Sequence, residues 1–213
     1  MTVPEAFVHP IPEVFSDSQA APLLCAGSVG WRSLRLTGLR DGQTLGLTGF
    51  GASGHLVLKA ARHKYPRSKI FVFARSEAER VFARELGAAW AGETADGPPG
   101  PCDAIIDTTP AWGPVVEALK NLKSGGRLVI NAIRKEDMDR DRLLQLDYAA
   151  HLWHEKEIKS VANVTRDDVR EFLDLSAAIP LLPEVQEYPL AEANLALAEL
   201  KQRKIRGAKV LRM

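Results

Sequence analysis

The sequence predicts an α/β protein built on a doubly wound parallel sheet. Short apolar runs alternate with helical patterns between residues 44 and 133, and this rhythm implies parallel strands joined by right-handed crossovers. Apolar residues make up 46% of the 213 residues, which is enough for a sizeable core. A glycine-rich segment also lies between the first strand and the following helix. Together these three observations favour a nucleotide-binding α/β fold over an all-helical or all-β protein.

The first half of the chain supplies most of the predicted sheet. Three prolines make residues 1–16 extended, and an apolar stretch from Ser18 to about Thr37 forms a helix that closes at Gly38. The following elements are then predicted in order: strand Thr44–Thr48, a helix burying Leu56, Val57, Ala60 and Ala61, strand Ile70–Phe73, and a helix from the capping box Ser76–Glu79 to Gly87. Next come strand Ala104–Ile106, a helix from Pro114 to Ser124–Gly126, and strand Leu128–Ile130.

The second half of the chain is less regular. The Gly- and Pro-rich stretch 92–101 is predicted to be an exposed loop. Thr165 caps a helix with Asp168 at its third position, and Pro180 and Pro183 end that helix. The last predicted elements are a strand at Val185–Tyr188, a helix from Leu190 to about Arg203, and a strand at Ala208–Leu211.

Charge and hydropathy exclude several classes of protein. Lys and Arg number 28 against 27 Asp and Glu, so the net charge of +1 argues against a nucleic-acid surface spread over the chain. No apolar run reaches the roughly 18 residues that cross a bilayer, so no membrane protein is expected. The N-terminus lacks a secretory signal, and two distant cysteines cannot form a disulfide framework. The sequence therefore predicts a cytoplasmic protein.

The glycine-rich segment carries the chemistry. In Gly49-Phe50-Gly51-Ala52-Ser53-Gly54, the first glycine makes a tight turn, the second admits a pyrophosphate, and the third allows close helix–strand packing. The loop amides and the positive end of the helix dipole then hold a dinucleotide diphosphate. The motif therefore predicts a dinucleotide-binding (Rossmann) domain. A glycine-rich turn without a ligand is the alternative.

The residues after the second strand bear on which dinucleotide binds. NAD sites place an acidic residue about 20 positions beyond the glycines. Here that place holds Ala74, Arg75 and Ser76, and the first acid is Glu77. Because an arginine can pair with a 2′-phosphate and a serine can add a hydrogen bond, we expect NADP to be preferred over NAD. In the alternative, Arg75 is a solvated residue and Ser76 only caps a helix.

Several segments together resemble the zinc-type medium-chain alcohol dehydrogenases. They comprise Ala21–Gly27, the glycine motif, Leu122–Val129, Lys204–Gly207 and the opening Val3–Glu5. The resemblance covers essentially the whole chain. It implies that the chain begins after nearly all of that family's upstream catalytic domain. It implies that residues 1–17 are a remnant of the catalytic domain, that 18–165 form the Rossmann domain, and that 166–213 complete this domain and return towards the catalytic domain.

The resemblance also implies roles for individual residues. Cys25 matches the last protein ligand of the catalytic zinc, and Arg206 matches an arginine that contacts the cofactor pyrophosphate. The strand ends at Thr108, Asn131 and Ala162 match the backbone that lines the nicotinamide and ribose pocket. The remaining zinc ligands and the proton relay belong to the upstream domain. No catalytic residue is therefore assigned to this chain, and Cys25 is the single matching zinc ligand.

The implied reaction is reversible hydride transfer between an alcohol and an aldehyde or ketone through NADP(H), with zinc polarising the substrate oxygen. Two alternatives stay open: a non-catalytic NADPH-binding sensor or regulatory module, and the cofactor subunit of a split dehydrogenase. Ile11, Val14, Phe15, Leu23 and Leu24 would pack against the missing domain in the family. Their exposure predicts a homo-oligomer or a separate catalytic chain as partner.

The sequence also predicts the environment of three histidines. His55 is expected to be a surface residue of the helix after the glycine motif. His151 and His154 have helical spacing, but no nearby cysteine completes a zinc site with them, so a solvated helix face is expected there.

Overall fold

A parallel sheet of six strands forms the centre of the molecule. The computed structural model describes residues 2–179, 181–202 and 204–213. The strand order is β3-β2-β1-β4-β5-β6, and every neighbouring pair is parallel. The strands are β1 Thr44–Thr48, β2 Lys69–Phe73, β3 Trp90–Gly92, β4 Cys102–Asp107, β5 Leu122–Ile130 and β6 Glu157–Ser160. A second sheet pairs β7 Val185–Pro189 with β8 Ala208–Arg212.

Helices cover the two faces of the six-stranded sheet. They are α1 Asp17–Pro22, α2 Ser28–Leu36, α3 Ala52–Lys64, α4 Glu77–Glu85, α5 Gly113–Lys120, α6 Arg166–Ala178 and α7 Ala193–Lys201. Strand β2 shows the two faces directly. Ile70 and Val72 belong to a core that includes α2, α3 and α6, whereas Phe71 and Phe73 belong to a second core that includes α5. The predicted doubly wound α/β fold is confirmed. No helix among the described residues is long and apolar enough to cross a membrane.

The strand order reverses between β1 and β4. The chain winds outward in one direction from β1 to β3 and in the other from β4 to β6. The crossover helices on either side of the reversal leave a crevice at the carboxyl ends of these strands, and ligands of doubly wound sheets bind in such a crevice. The topology therefore identifies one edge of the sheet as the place to look for a site.

The helix predicted from Ser18 to Thr37 is present but interrupted. A π-helical turn at Leu23–Gly27 joins α1 to α2, and Gly38 ends the stretch with φ of +69°. At Gly27, a Cβ would lie 2.3 Å from the Phe172 ring, so glycine lets α6 approach this turn closely. The π turn places Cys25 on the side of the sheet's carboxyl edge.

Several predicted boundaries were wrong. The helix from Pro114 ends at Lys120, and β5 begins at Leu122 instead of Leu128. The glycines at 125 and 126 therefore lie inside a strand. Strands β3 and β6 were not predicted, because three residues and a polar edge sequence carry little periodic signal. The predicted breaker Pro180 and the predicted helix end Arg203 lie outside the described residues.

The apolar residues expected to pack against an upstream domain divide into two groups. Ile11, Val14 and Leu24 are exposed, at 41%, 48% and 37% of their surface. Phe15 and Leu23 are buried within this chain's own core, so their predicted exposure was wrong. Leu23 is the first residue of the π turn and packs into the core that includes α2, α3 and α6. The predicted division at residues 17 and 165 stays a prediction.

Candidate dinucleotide site

A cavity of about 760 Å³ lies at the carboxyl ends of β1, β2, β4 and β5. Its position is the one that the reversal of strand order favours. Of the residues proposed from sequence for the cofactor or the metal, ten line it: Cys25, Gly49, Phe50, Gly51, Ala52, Ser53, Ala74, Arg75, Thr108 and Asn131. The fold thus brings together residues that are far apart in sequence.

The glycine loop has the geometry that its sequence predicts. Gly49 has φ of +80°, and a Cβ there would lie 2.7 Å from Thr108 Oγ1. At Gly51, by contrast, a Cβ would meet nothing within 4 Å, so the space beside this backbone is open. A Cβ at Gly54 would lie 2.8 Å from the Gly49 carbonyl oxygen, which is the predicted close packing of helix on strand. The loop leads into α3, whose first residues Ala52 and Ser53 line the cavity.

A serine ties the glycine loop to the π turn. Ser53 Oγ donates a hydrogen bond to the Ala26 carbonyl oxygen over 2.9 Å. Cys25 is exposed and lines the same cavity, as does Val29 one turn later. The thiol therefore faces the space that the glycine loop borders.

The wall at the end of β2 contains a carboxylate that the sequence analysis did not assign to the site. Ala74, Arg75 and Glu79 line the cavity, together with Thr94. Ser76 does not line it. Its hydroxyl donates to Glu79 Oε2 over 2.7 Å and accepts from the Glu79 amide, which is the capping box of α4. This leaves Arg75 as the exposed cation at this wall.

The opposite wall carries an unsatisfied donor. Thr108 Oγ1 donates to the Thr48 carbonyl oxygen over 2.9 Å and so joins the ends of β4 and β1. The Asn131 side chain is 7% exposed and lines the cavity. Its Nδ2 has no hydrogen-bond partner among the described residues. Because buried amides are rarely left unpaired, this donor indicates an acceptor on a ligand.

Two residues carried over from the family lie elsewhere. The guanidinium of Arg206 lies 4.2 Å from the centre of the Phe82 ring, and its Nη2 pairs with Glu85 over 2.6 Å. Ala162 is exposed beyond β6. Neither is among the described residues that line the cavity. The C-terminal segment contributes Leu200, Lys201 and Ile205 instead, which no sequence pattern had indicated.

The donor set does not fit a zinc site within this chain. Among residues 2–179, 181–202 and 204–213, no three His, Cys, Asp or Glu side chains are close enough together to hold a metal. Cys25 is therefore a single candidate ligand, whereas a catalytic zinc takes three protein ligands. His151 is buried rather than solvated, and its Nδ1 accepts from the Asp147 amide over 2.9 Å.

The expectation for His55 was wrong, because its ring is fully buried behind the glycine loop. Nε2 accepts the Glu184 amide hydrogen over 3.3 Å, so Nδ1 carries the proton and donates to the Gly51 carbonyl oxygen over 3.1 Å. Burial lowers the pKa of His55 from 6.5 to about 4. The neutral ring therefore connects the glycine loop to the segment before β7.

This burial predicts a pH-dependent stability. The unfolded chain binds a proton at His55 below pH 6.5 while the folded chain resists it down to about pH 4. The contribution of neutral His55 to the free energy of unfolding is therefore fully present above pH 6.5. It decreases as the pH falls through this window, by about 2–3 kcal/mol at pH 4.5. Urea unfolding at pH 7 and pH 4.5 measures the loss. The free energy of unfolding of His55→Gln should decrease much less between pH 7 and pH 4.5. The control His63→Gln, on the exposed face of α3, should show the full decrease of the parent protein. Equal decreases in both variants would contradict the assignment.

Comparison with known proteins bears on the origin of this site. No protein-family profile matches the chain. A probable alcohol dehydrogenase, AdhA, from Mycobacterium tuberculosis is 43% identical over 210 residues, which cover 99% of this chain and 59% of that protein. Cinnamyl alcohol dehydrogenase 2 from Rauvolfia serpentina is 32% identical over 94% of this chain and 55% of that protein. Both relatives are named alcohol dehydrogenases, and the chain is similar to them over nearly all of its own length. The predicted resemblance is thereby confirmed, although the chain spans less than two thirds of either relative.

Solved structures agree on the fold. A protein named CAD from Helicobacter pylori, in complex with NADP(H), superposes with a TM-score of 0.75 at 21% identity, over 91% of this chain and 54% of that one. Acetophenone reductase from Geotrichum candidum, in complex with NAD, superposes with a TM-score of 0.80 at 20% identity, over 95% and 58% of the two chains.

Proposed function

We propose that this chain is the cofactor-binding part of an NADP(H)-dependent oxidoreductase that transfers hydride between an alcohol and an aldehyde or ketone. The observation that carries the proposal is the open backbone at Gly51, set at the reversal of strand order and facing the unsatisfied Asn131 amide across one cavity. The names of the relatives support alcohols as the substrate class. The structures solved with NADP(H) and with NAD support a nicotinamide dinucleotide as the ligand.

The residues of the chain fit such a ligand. The loop Gly49–Gly51 and the first turn of α3 would hold the pyrophosphate, because amides and the helix dipole favour negative charge there. Thr108 and Asn131 would line the nicotinamide half, and Asn131 Nδ2 would donate to an oxygen of that half. The bound dinucleotide supplies the hydride carrier. The chain's part in the chemistry is to bind this carrier and orient it.

The preference for NADP is part of the proposal. Arg75 is exposed at the cavity wall where the adenosine ribose lies in this fold, and it would pair with a 2′-phosphate. The Ser76 hydroxyl already donates to Glu79 in the capping box, so the proposal assigns the phosphate contact to Arg75 alone. Pyrophosphate contact by Arg206 would require this side chain to leave Glu85 and Phe82.

A homo-oligomer or a separate catalytic chain would cover the exposed Ile11, Val14 and Leu24. A separate catalytic chain would favour the split dehydrogenase, whereas NADPH binding with no partner chain and no metal would favour a regulatory module. The free thiols of Cys25 and Cys102 also fit a reducing, cytoplasmic compartment.

The isolated chain is expected to bind NADP(H), to carry no stoichiometric zinc, and to oxidise simple alcohols at no more than trace rates. One thiolate cannot hold a catalytic zinc. Native mass spectrometry would report nucleotide, zinc and subunit count together, and an NADPH-absorbance assay with a panel of alcohols and aldehydes would report turnover. One zinc per chain, or turnover that Cys25→Ala abolishes, would contradict this prediction. A complex with a second chain rich in Cys and His would favour the split enzyme.

A further inference from the structure

A buried carboxylate ends β4 at the reversal of strand order. Asp107 is fully buried and accepts hydrogen bonds from Thr48 Oγ1 over 2.6 Å and from Thr109 Oγ1 over 2.8 Å. The Thr109 amide donates to the same oxygen over 3.2 Å. Asp107 therefore joins the last residue of β1 to the loop that follows β4.

The charge of this carboxylate is matched by a lysine from a different loop. The Lys135 side chain is 9% exposed, and its Nζ forms an ion pair with Asp107. The same ammonium donates to the carbonyl oxygens of Thr109 over 2.8 Å and Ala111 over 2.9 Å. All three of its hydrogens have partners within the protein, so this lysine has no free donor for a substrate.

The pair connects two walls of the cavity. The loop 108–111 after β4 lines it, and so do residues 131–134 and 136 on either side of Lys135. Burying two charges costs desolvation energy that an apolar pair of similar size would not incur. Stability alone therefore does not account for an ion pair here, whereas a fixed geometry between the two loops does.

We propose that Asp107 and Lys135 form a positioning pair that holds these two loops in the arrangement that binds the nicotinamide half of the cofactor. The inference rests on the proposed function. Each half of this fold holds one mononucleotide, with the adenosine over β1–β3 and the other nucleotide over β4–β6. Loss of the pair should thus weaken contacts to one half of the ligand and leave the other half unaffected.

Dissociation constants for NADPH and for 2′,5′-ADP, which carries only the adenosine half, test this separation. Lys135→Met should weaken NADPH binding about 10-fold or more, because loops displaced by about 1 Å no longer fit the ligand. The affinity for 2′,5′-ADP should change less than about 2-fold. The double variant Lys135→Met/Asp107→Asn removes both buried charges and keeps the test valid if the single variant does not fold.

Lys156→Met is the matched control. Lys156 Nζ also donates to two carbonyl oxygens, of Leu119 and Ala150, but Lys156 is not among the described residues that line the cavity. This control should lower the melting temperature and leave both affinities unchanged. Equal weakening for both ligands, or none, in the Lys135 variants would overturn the inference. An unsubstituted protein that binds neither ligand would overturn the proposed function, and the inference with it.

Discussion

Gly51→Ala is expected to weaken dinucleotide binding strongly while leaving the chain folded. Gly51 has a negative φ of −95°, and the added Cβ would contact no protein atom within 4 Å. The methyl group would instead occupy the space in which the pyrophosphate approaches the backbone. We expect NADPH affinity to fall about 100-fold, which corresponds to about 2.7 kcal/mol. The melting temperature should stay within about 2 °C of the parent value.

Isothermal titration with NADPH and a thermal melt of the same samples measure the two effects separately. Gly100→Ala is the matched control, since a Cβ there also meets nothing within 4 Å and Gly100 is not among the described residues that line the cavity. That variant should retain the parent affinity. A Gly51→Ala protein that binds NADPH as tightly as Gly100→Ala would show that the cavity holds its ligand in another way.

Arg75→Ala is expected to remove the preference for NADPH over NADH. A charge-assisted contact to a 2′-phosphate contributes roughly 1.5–3 kcal/mol, or on the order of 10- to 100-fold in affinity. NADH lacks this phosphate, so its affinity should change little. Because Arg75 is exposed, the substitution should leave the stability of the chain near its parent value.

Titration of both cofactors against the parent and two variants measures this preference. Ser76→Ala removes the cap of α4 and should lower stability by about 1 kcal/mol without changing the ratio of the two affinities. Equal affinities of the parent for NADPH and NADH would refute the proposed specificity. A ratio that shifts with Ser76→Ala and not with Arg75→Ala would assign the phosphate contact to the serine instead.

Local signals in the sequence predicted a large part of the fold and of the site. The capping boxes at Ser76 and Thr165 lie where their spacing indicates, because each depends on residues three apart. The same holds for the glycine loop, whose backbone conformation is set by its own residues and by the two elements it joins. Short apolar runs likewise indicated β1, β2 and β4, since strands buried on both faces are apolar throughout.

Side-chain environments across long separations could not be predicted in this way. His55 directly follows the glycine motif and is expected from sequence to be a surface residue. In the structure, however, the segment at Glu184 covers its ring. Arg206 matches a family arginine in sequence, but its side chain contacts Phe82 and Glu85 and does not line the cavity. Lys135 stands in a polar loop that looks solvated in sequence, and only the end of β4 makes it a buried partner.

The sequence by itself determined the class of fold and the place of the glycine loop. Both depend on periodicity and spacing, which act over a few neighbouring residues. The resemblance to alcohol dehydrogenases was also visible in the sequence, in segments spread along the whole chain. The tertiary structure alone decided which charges are buried, which side chains face the cavity, and that Arg75 rather than Arg206 lines it. Those outcomes depend on which distant segments the sheet brings together, because burial and electrostatics act through space rather than along the chain.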